Sequence, residues 1–163
     1  MPKNQPWLPA MTSELKQATL RQSHWLRVYY EDTDTAGIVY YANYLRFLER
    51  GRTEFLRTLG FQQQQLMLEN ISFAVTSISA NYRQPAKLDD HLEVTTGIED
   101  LRRAQLVFDQ SIWRGDQLLL DAKICVACVD PSKGKPIAMR RDIHEQFMRW
   151  STEPASANPG TKQ

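Results

Sequence analysis

The sequence lacks the features that would send it into a membrane or onto a nucleic acid. No apolar run approaches the roughly 20 residues that span a bilayer, and the opening "MPKNQPWLPAMTSELKQ" has no apolar core of the kind a secretory signal carries. A cytoplasmic location without a membrane span is expected. Lys and Arg number 20 against 19 Asp and Glu, for a formal charge of +1 spread along the chain, so no basic footprint for DNA or RNA is present. Cysteine is scarce. Cys125 and Cys128 lie in "LLLDAKICVACV", where Leu118, Leu120, Ala122, Ile124, Val126 and Cys128 alternate as one face of a strand and Cys125 points the other way. Such a pair does not meet disulfide geometry and is too small for a four-ligand zinc site. Structural thiols are expected, and no metal. Internal repeats and low-complexity blocks are missing between the two ends.

What is present fits one domain, because 163 residues with 42% hydrophobic content would starve two cores. Residues 1–22 show no sustained period and read as a flexible arm. The tail "STEPASANPGTKQ", residues 151–163, has too little apolar surface to offset ordering entropy and is expected to be disordered. Between them, residues 23–150 open with "HWLRVYYED", a strand expected to end near Glu31. After the loop "DTDTAGIV", Tyr44, Leu45, Leu48, Gly51, Phe55 and Leu59 recur at spacings of three and four, which predicts a helix capped by Asn43 and ending at Gly60. The period then becomes two through Phe73, Val75 and Ser77, through Leu92, Val94, Thr96 and Ile98, and through Leu106, Phe108, Gln110 and Ile112. "WRGDQ" reads as a hairpin turn before the last strand, Asp89-Asp90 as a turn before another, and "RRDIHEQFMRW" as a short closing helix. The order is α+β, an antiparallel sheet covered by one major helix. Gly51 costs that helix about 1 kcal/mol relative to Ala, a cost that close approach to the sheet would justify.

The chemistry concentrates in "YYEDTDTAGIVYYANYLRFLERGR". Asp34 shares a loop with Gly37, and the loop leads to the amino end of the long helix. A helix start presents unpaired N–H groups and about half a positive charge, which can hold an oxyanion. A carboxylate just before those donors supplies a nucleophile or general base opposite an electrophilic pole, the arrangement that acyl transfer or ester hydrolysis needs. Asp32 and Asp34 also read as ordinary turn residues capping local N–H groups.

The run "VYYEDTDTAGIVYYANYLRFLERGRTEFLRTLG" resembles the 4-hydroxybenzoyl-CoA thioesterase-like family, and within it the branch associated with the bacterial Tol-Pal system. The likeness continues through "PAKLDDHLEV", "LVFDQSIW" and "CVDPSKGKP" and covers residues 24 to 148. It implies a hotdog fold, in which a curved five-stranded antiparallel sheet wraps the long helix, with homodimers joined sheet to sheet and paired again as tetramers. The implied activity is acyl-CoA thioesterase, with acyl carrier protein as an alternative acyl donor. No cofactor is implied, because coenzyme A is part of the substrate. The resemblance puts the catalytic carboxylate on Asp34. Seven residues later, where some Tol-Pal-associated relatives carry His, this chain has Tyr41. Tyrosine is what the 4-hydroxybenzoyl-CoA enzymes resemble there, with its backbone N–H polarising the thioester carbonyl. Tyr30 matches a tyrosine assigned to the site, although a structural aromatic at a strand end reads equally well. Arg102 and Arg103 in "EDLRRAQ" stand where related thioesterases place basic side chains, and such a pair can hold coenzyme A phosphates. A solvated charged turn is the alternative, and Lys133 and Lys135 are weaker candidates.

Three competing readings follow from the same residues. Another hotdog lineage uses a glutamate inside the long helix, which directs attention to Glu49, but its neighbours in "LERGRTE" favour salt bridging, with Arg50 and Glu54 as an i,i+4 pair. Asp32-Thr33-Asp34 after a strand also resembles the phosphoryl-transfer motif of haloacid dehalogenase-like enzymes, which require alternating strands and helices. A non-catalytic hotdog that binds acyl-CoA as a sensor or scaffold is the third.

Overall fold

The computed structural model of the protein describes residues 20–152. Most of the expected arm and tail lies outside these residues. Residues 20–22 already belong to the fold, since Leu20 is buried, Arg21 pairs with Asp109 and the first strand starts at Gln22.

Strand β1 (Gln22–Arg27) ends earlier than its β-branched and aromatic continuation suggests. The cause is local. The Asp32 carboxylate accepts the Tyr29 N–H at 2.8 Å and folds residues Tyr30–Asp32 into a 3-10 turn. The long helix α1 (Asn43–Thr58) follows, with Ala42 rather than Asn43 at its N-cap, because the Asn43 amide is spent on Asp32. It stops at Thr58. Gly60, at φ 88°, lets its own N–H reach the Arg57 carbonyl and the Phe61 N–H reach the Leu56 carbonyl, a Schellman ending. A short helix α2 (Gln63–Leu68) then intervenes before the first long strand. The sequence reading passed over it, since Leu66 is its single buried residue and one apolar position defines no period.

The strands β2 (Ser72–Tyr82), β3 (His91–Leu101), β4 (Gln105–Arg114) and β5 (Gln117–Asp130) follow the expected order. A two-residue strand β6 (Lys135–Pro136) adds to β5, and helix α3 (Arg141–Thr152) closes the described residues. All pairings are antiparallel, in the order β1-β3-β4-β5-β2 with β6 on β5. That order excludes the parallel, doubly wound sheet of a haloacid dehalogenase-like enzyme. Gly115 turns β4 into β5 at φ 58°, and Asp89 takes φ 67° in the turn before β3. No helix among the described residues is long and apolar enough to cross a membrane. Cys125 and Cys128 are free and face opposite sides of β5, with burial pushing the Cys128 thiol pKa up.

The sheet curls around α1. Phe47, Leu48, Phe55 and Leu56 of the helix are buried against the inner face, which carries Leu92, Val94, Ile112, Leu120, Ile124 and Val126. Each fully buried side chain of this size contributes about 1.5–3 kcal/mol relative to exposure. Phe147 of α3 seals the open end by packing on Phe55, Phe73 and Phe108. Leu45, assigned to the apolar stripe, is left partly exposed on the flank. Gly51 sits at the closest approach of helix to sheet, where a Cβ would stand 2.7 Å from Val94 Cγ1 and 3.1 Å from both Gln110 Nε2 and Thr96 Oγ1.

Candidate active site

Between the 3-10 turn and α1 the chain forms a small hairpin. Thr33 bridges Val39, the Asp34 N–H donates to the Ile38 carbonyl at 2.9 Å, and the Gly37 N–H donates to the Asp34 carbonyl at 3.1 Å. Gly37 closes the turn at φ 77°, a left-handed value that glycine takes without strain. The far strand is docked on the domain by the Val39 N–H on the Ala86 carbonyl and by a bridge from Ile38 to Lys87. Asp34 therefore stands at the hairpin tip on a backbone held from both sides.

The two aspartates of the motif divide the work. Asp32 is 6% exposed, and one carboxylate oxygen accepts the Tyr29 N–H while the other accepts the Asn43 side-chain amide at 2.7 Å. Its carbonyl also accepts the Tyr40 N–H at 3.0 Å. Asp32 thereby clamps the hairpin to the first residue of α1, a role that reading it as a turn residue understated. Asp34 is exposed. Its Oδ1 accepts the Ala36 N–H at 2.8 Å, and its second oxygen accepts no hydrogen bond among the described residues. One oxygen oriented and one free is the geometry a nucleophile or general base requires.

Tyr41 lies in the turn just before α1. Among the described residues neither its N–H nor that of Ala42 meets an acceptor, so two donors stay open at the positive end of the helix. Asp34 pairs with Ile38, and Tyr41 is three residues further on, on the order of 10 Å of backbone away. The Tyr41 ring is 65% exposed and tilts against Tyr40 at 4.8 Å, and its carbonyl accepts the Tyr82 hydroxyl at 2.8 Å. A side-chain hydrogen bond with Tyr41 raises the Tyr40 phenol pKa, and burial raises that of Tyr82. Tyr30 is 84% exposed, and its ring makes no contact with another aromatic among the described residues. It is not a packed structural aromatic within one chain.

An open groove of about 290 Å³ adjoins the hairpin, lined by Ile38, Tyr41, Tyr44, Tyr82, Arg83 and Pro85. Tyr82 and Arg83 were missed as site residues because they end a strand 41 and more residues after Tyr41, and only the fold brings them together. Arg83 pairs with Asp121. Arg102 and Arg103 are a different matter. They follow β3, whereas the hairpin docks at Ala86 and Lys87, just before β3 begins. The strand's 11 residues put roughly 33 Å of extended chain between the two places, at opposite ends of β3. Arg102 is exposed and paired with Asp100 at 2.9 Å, while the Arg103 carbonyl accepts the Met139 N–H. Among the described residues Glu49 makes no ion pair with an arginine, although burial lowers the pKa of Arg52 and the charge of Glu49 acts against that effect. Its Oε1 accepts the Thr53 hydroxyl at 3.1 Å, while Glu54 bridges to Arg57 instead of Arg50, whose guanidinium lies over Phe47.

Residues 36–120 match the thioesterase superfamily. The acyl-CoA thioester hydrolase YbgC of Escherichia coli is 48% identical over 123 residues, 75% of this chain and 92% of that protein. The acyl-CoA thioesterase YbgC of Haemophilus influenzae is 46% identical over 123 residues, 75% of this chain and 90% of its own. A solved probable thioesterase from Bartonella henselae superposes with a TM-score of 0.71 at 37% identity, covering 74% of this chain and 99% of that one. With its curled antiparallel sheet around one long helix, the chain belongs to the thioesterase superfamily and is a hotdog-fold thioester hydrolase.

Proposed function

We propose that the protein hydrolyses acyl-coenzyme A thioesters, with Asp34 as nucleophile or general base and the Tyr41 N–H as the oxyanion donor. The observation that carries this reading is the free oxygen of Asp34 set before two open N–H groups at the start of α1. As Asp34, or a water it deprotonates, adds to the thioester carbon, charge builds on the carbonyl oxygen, where the helix start stabilises it. The C–S bond then breaks and the coenzyme A thiolate leaves, directly with the free acid where water attacked, or with a mixed anhydride on Asp34 that a water then hydrolyses to release the acid and restore the carboxylate. The names of the relatives support coenzyme A as the carrier, and acyl carrier protein enters as a competing acyl donor. Thioester hydrolysis measured across a panel of acyl-coenzyme A substrates tests the reading. Tight binding with no turnover would favour the sensor alternative.

Tyr41→Phe is expected to keep most activity, because the working donor is backbone. Tyr41→Pro is expected to lose about a hundredfold or more in kcat, since proline has no N–H to give. A melting curve controls for altered turn geometry. Equal losses in Tyr41→Phe and Asp34→Asn would move the work to the phenol hydroxyl. Tyr30, exposed beside the hairpin, is read as lining the substrate entrance.

A homodimer is part of this proposal. β2 is an edge strand of 11 residues, exposed over most of its length with Val75 and Ile78 among its apolar side chains, and such an edge is a template for another copy of itself. Sedimentation at twice the chain mass, or at four times it for paired dimers, is the expected result. Arg102 and Arg103 can act at Asp34 only from another copy, given their separation within one chain. Replacing both with Ala is expected to raise KM several-fold with little change in kcat, as for binding lost equally in ground and transition states. An unchanged KM would return them to the solvated turn.

A further inference from the structure

The two N–H groups left open before α1 are not equivalent, because the peptide that carries one of them is tied to a side chain at the end of β2. The Tyr40 carbonyl accepts the Asn43 N–H at 2.8 Å, so Tyr41 and Ala42 are the central pair of a turn that runs into the helix. Ala42 has helical angles, φ -72° and ψ -20°, and the N–H groups of such a turn point together off the helix end. The Tyr41 carbonyl points the other way. In a regular α-helix it would accept the Leu45 N–H, but that donor goes to the Ala42 carbonyl at 3.2 Å. Among the described residues the Tyr41 carbonyl has one donor instead, the Tyr82 hydroxyl at 2.8 Å.

The strand end that carries Tyr82 is itself fixed. The Arg83 and Gln84 N–H groups both donate to the Leu119 carbonyl, at 2.8 and 3.2 Å, and Asp121 accepts the Asn81 amide at 2.9 Å together with the Arg83 guanidinium. The Tyr82 ring meets Tyr44 edge to face, with centroids 5.5 Å apart. Tyr44 is buried, and its own hydroxyl accepts the Ala86 N–H at 2.9 Å while the Ala86 carbonyl accepts the Val39 N–H of the hairpin. One stretch of chain, from Tyr82 to Ala86, thus fastens both halves of the site: the hairpin that carries Asp34 and the turn of Tyr41 and Ala42. Burial raises the Tyr82 phenol pKa, which keeps the hydroxyl protonated and a donor at neutral pH.

We propose that Tyr82 is a positioning residue for the hydrolysis, acting through the Tyr41–Ala42 peptide, and that the Ala42 N–H is a second oxyanion donor beside that of Tyr41. This rests on the acyl-coenzyme A reading above. A trans peptide is planar with its C=O and N–H antiparallel, so a hydrogen bond that fixes the carbonyl also fixes the direction of the Ala42 N–H. The same bond draws electron density toward the oxygen and leaves the N–H a stronger donor, as successive hydrogen bonds in a chain polarise one another. That gain is small while the substrate carbonyl is neutral and grows as negative charge builds on its oxygen, so it is realised in the transition state. Tyr82 spends its proton on the protein and leaves the contact with the oxyanion to the backbone.

The test compares the wild type with Tyr82→Phe, which removes one hydroxyl and keeps the ring that packs on Tyr44. kcat is expected to fall about tenfold with KM unchanged. Kd for trifluoroacetonyl-coenzyme A, whose hydrated ketone offers an oxygen to the donors, is expected to rise by a similar factor, while Kd for propyl-coenzyme A, which has no carbonyl, stays the same. In protein isotope-labelled at alanine, the Ala42 amide proton is expected to move upfield as its peptide loses polarisation. Lactic acid in place of Ala42 turns the amide into an ester and removes the N–H without touching a side chain. Tyr82→Phe is then expected to cost nothing further, and an undiminished loss would place its effect elsewhere and overturn the proposal. A purely structural role weakens both analogues alike, and that result overturns it too, as does a kcat within about twofold of wild type. Either leaves acyl-coenzyme A hydrolysis standing. No turnover in the wild type, with the ketone alone bound more weakly by Tyr82→Phe, sinks the hydrolytic reading and upholds the positioning of the donors.

Discussion

Asp34→Asn is expected to fold as the wild type does and to lose about a thousandfold in kcat, within the range that one positioned base or nucleophile contributes. The substitution is isosteric, and the Asn carbonyl oxygen can still accept the Ala36 N–H that closes the turn. What disappears is the charge and basicity of the oxygen left free. Release of coenzyme A thiol, followed together with a thermal melt, separates the two effects. Asp32→Asn makes the contrast. There the carboxylate is buried and both oxygens already accept a hydrogen bond, so an amide NH₂ would face a donor and the clamp on α1 would loosen. Asp32→Asn is therefore expected to lower Tm, whereas Asp34→Asn leaves it in place. Full activity in a folded Asp34→Asn protein would remove the assignment, and a larger loss in Glu49→Gln would move the reaction onto the helix.

Gly51→Val is expected to destabilise the fold by about 3 kcal/mol or more. Even a bare Cβ lies 2.7 Å from Val94 Cγ1, and Val94 is fully buried and β-branched, so its χ1 is restricted and it has little room to move aside. The two other near atoms, on Gln110 and Thr96, hold the amide that ties Arg52 and the Leu48 carbonyl. A larger side chain has to break that network or lift the helix. Denaturant unfolding at constant m measures the loss. Gly51→Ala isolates the steric part, because its gain of about 1 kcal/mol in helix propensity opposes the contact. A Gly51→Ala protein more stable than wild type would mean that helix and sheet are not in tight contact there.

How far the sequence carried differs between fold and site for physical reasons. Periodicity records which face of an element is buried, so α1 and the four long strands were legible, as was the glycine where helix meets sheet. Periodicity is silent where one side chain rewires the backbone. The end of β1 and the start of α1 were both misplaced for that reason, since Asp32 draws in the Tyr29 N–H and the Asn43 amide from either side. Asp34 and Tyr41 could be read together because they are neighbours in sequence on one hairpin. Tyr82 and Arg83 could not, because their place beside Tyr41 depends on β2 reaching the helix start from the opposite edge of the sheet. Arg102 and Arg103 illustrate the reverse case. A basic pair is easy to find in a sequence, but its distance from Asp34 is set by the length of β3.

The strand order β1-β3-β4-β5-β2 also governs how the chain can fold as it is synthesised. β3, β4 and β5 form a meander of consecutive hairpins, whose short loops close at little entropic cost. β1 and β2 have no such option. β1 must wait for β3, which begins 64 residues after β1 ends, and β2 must wait for β5, the last long strand to emerge. The half of the domain that carries the hairpin and α1 is thus made first and stabilised last. Refolding is expected to be slow for a domain of this size, with the meander protected from hydrogen exchange before β1 and β2. A chain stopped before β5 would leave the apolar side of β2 unpaired and open to aggregation.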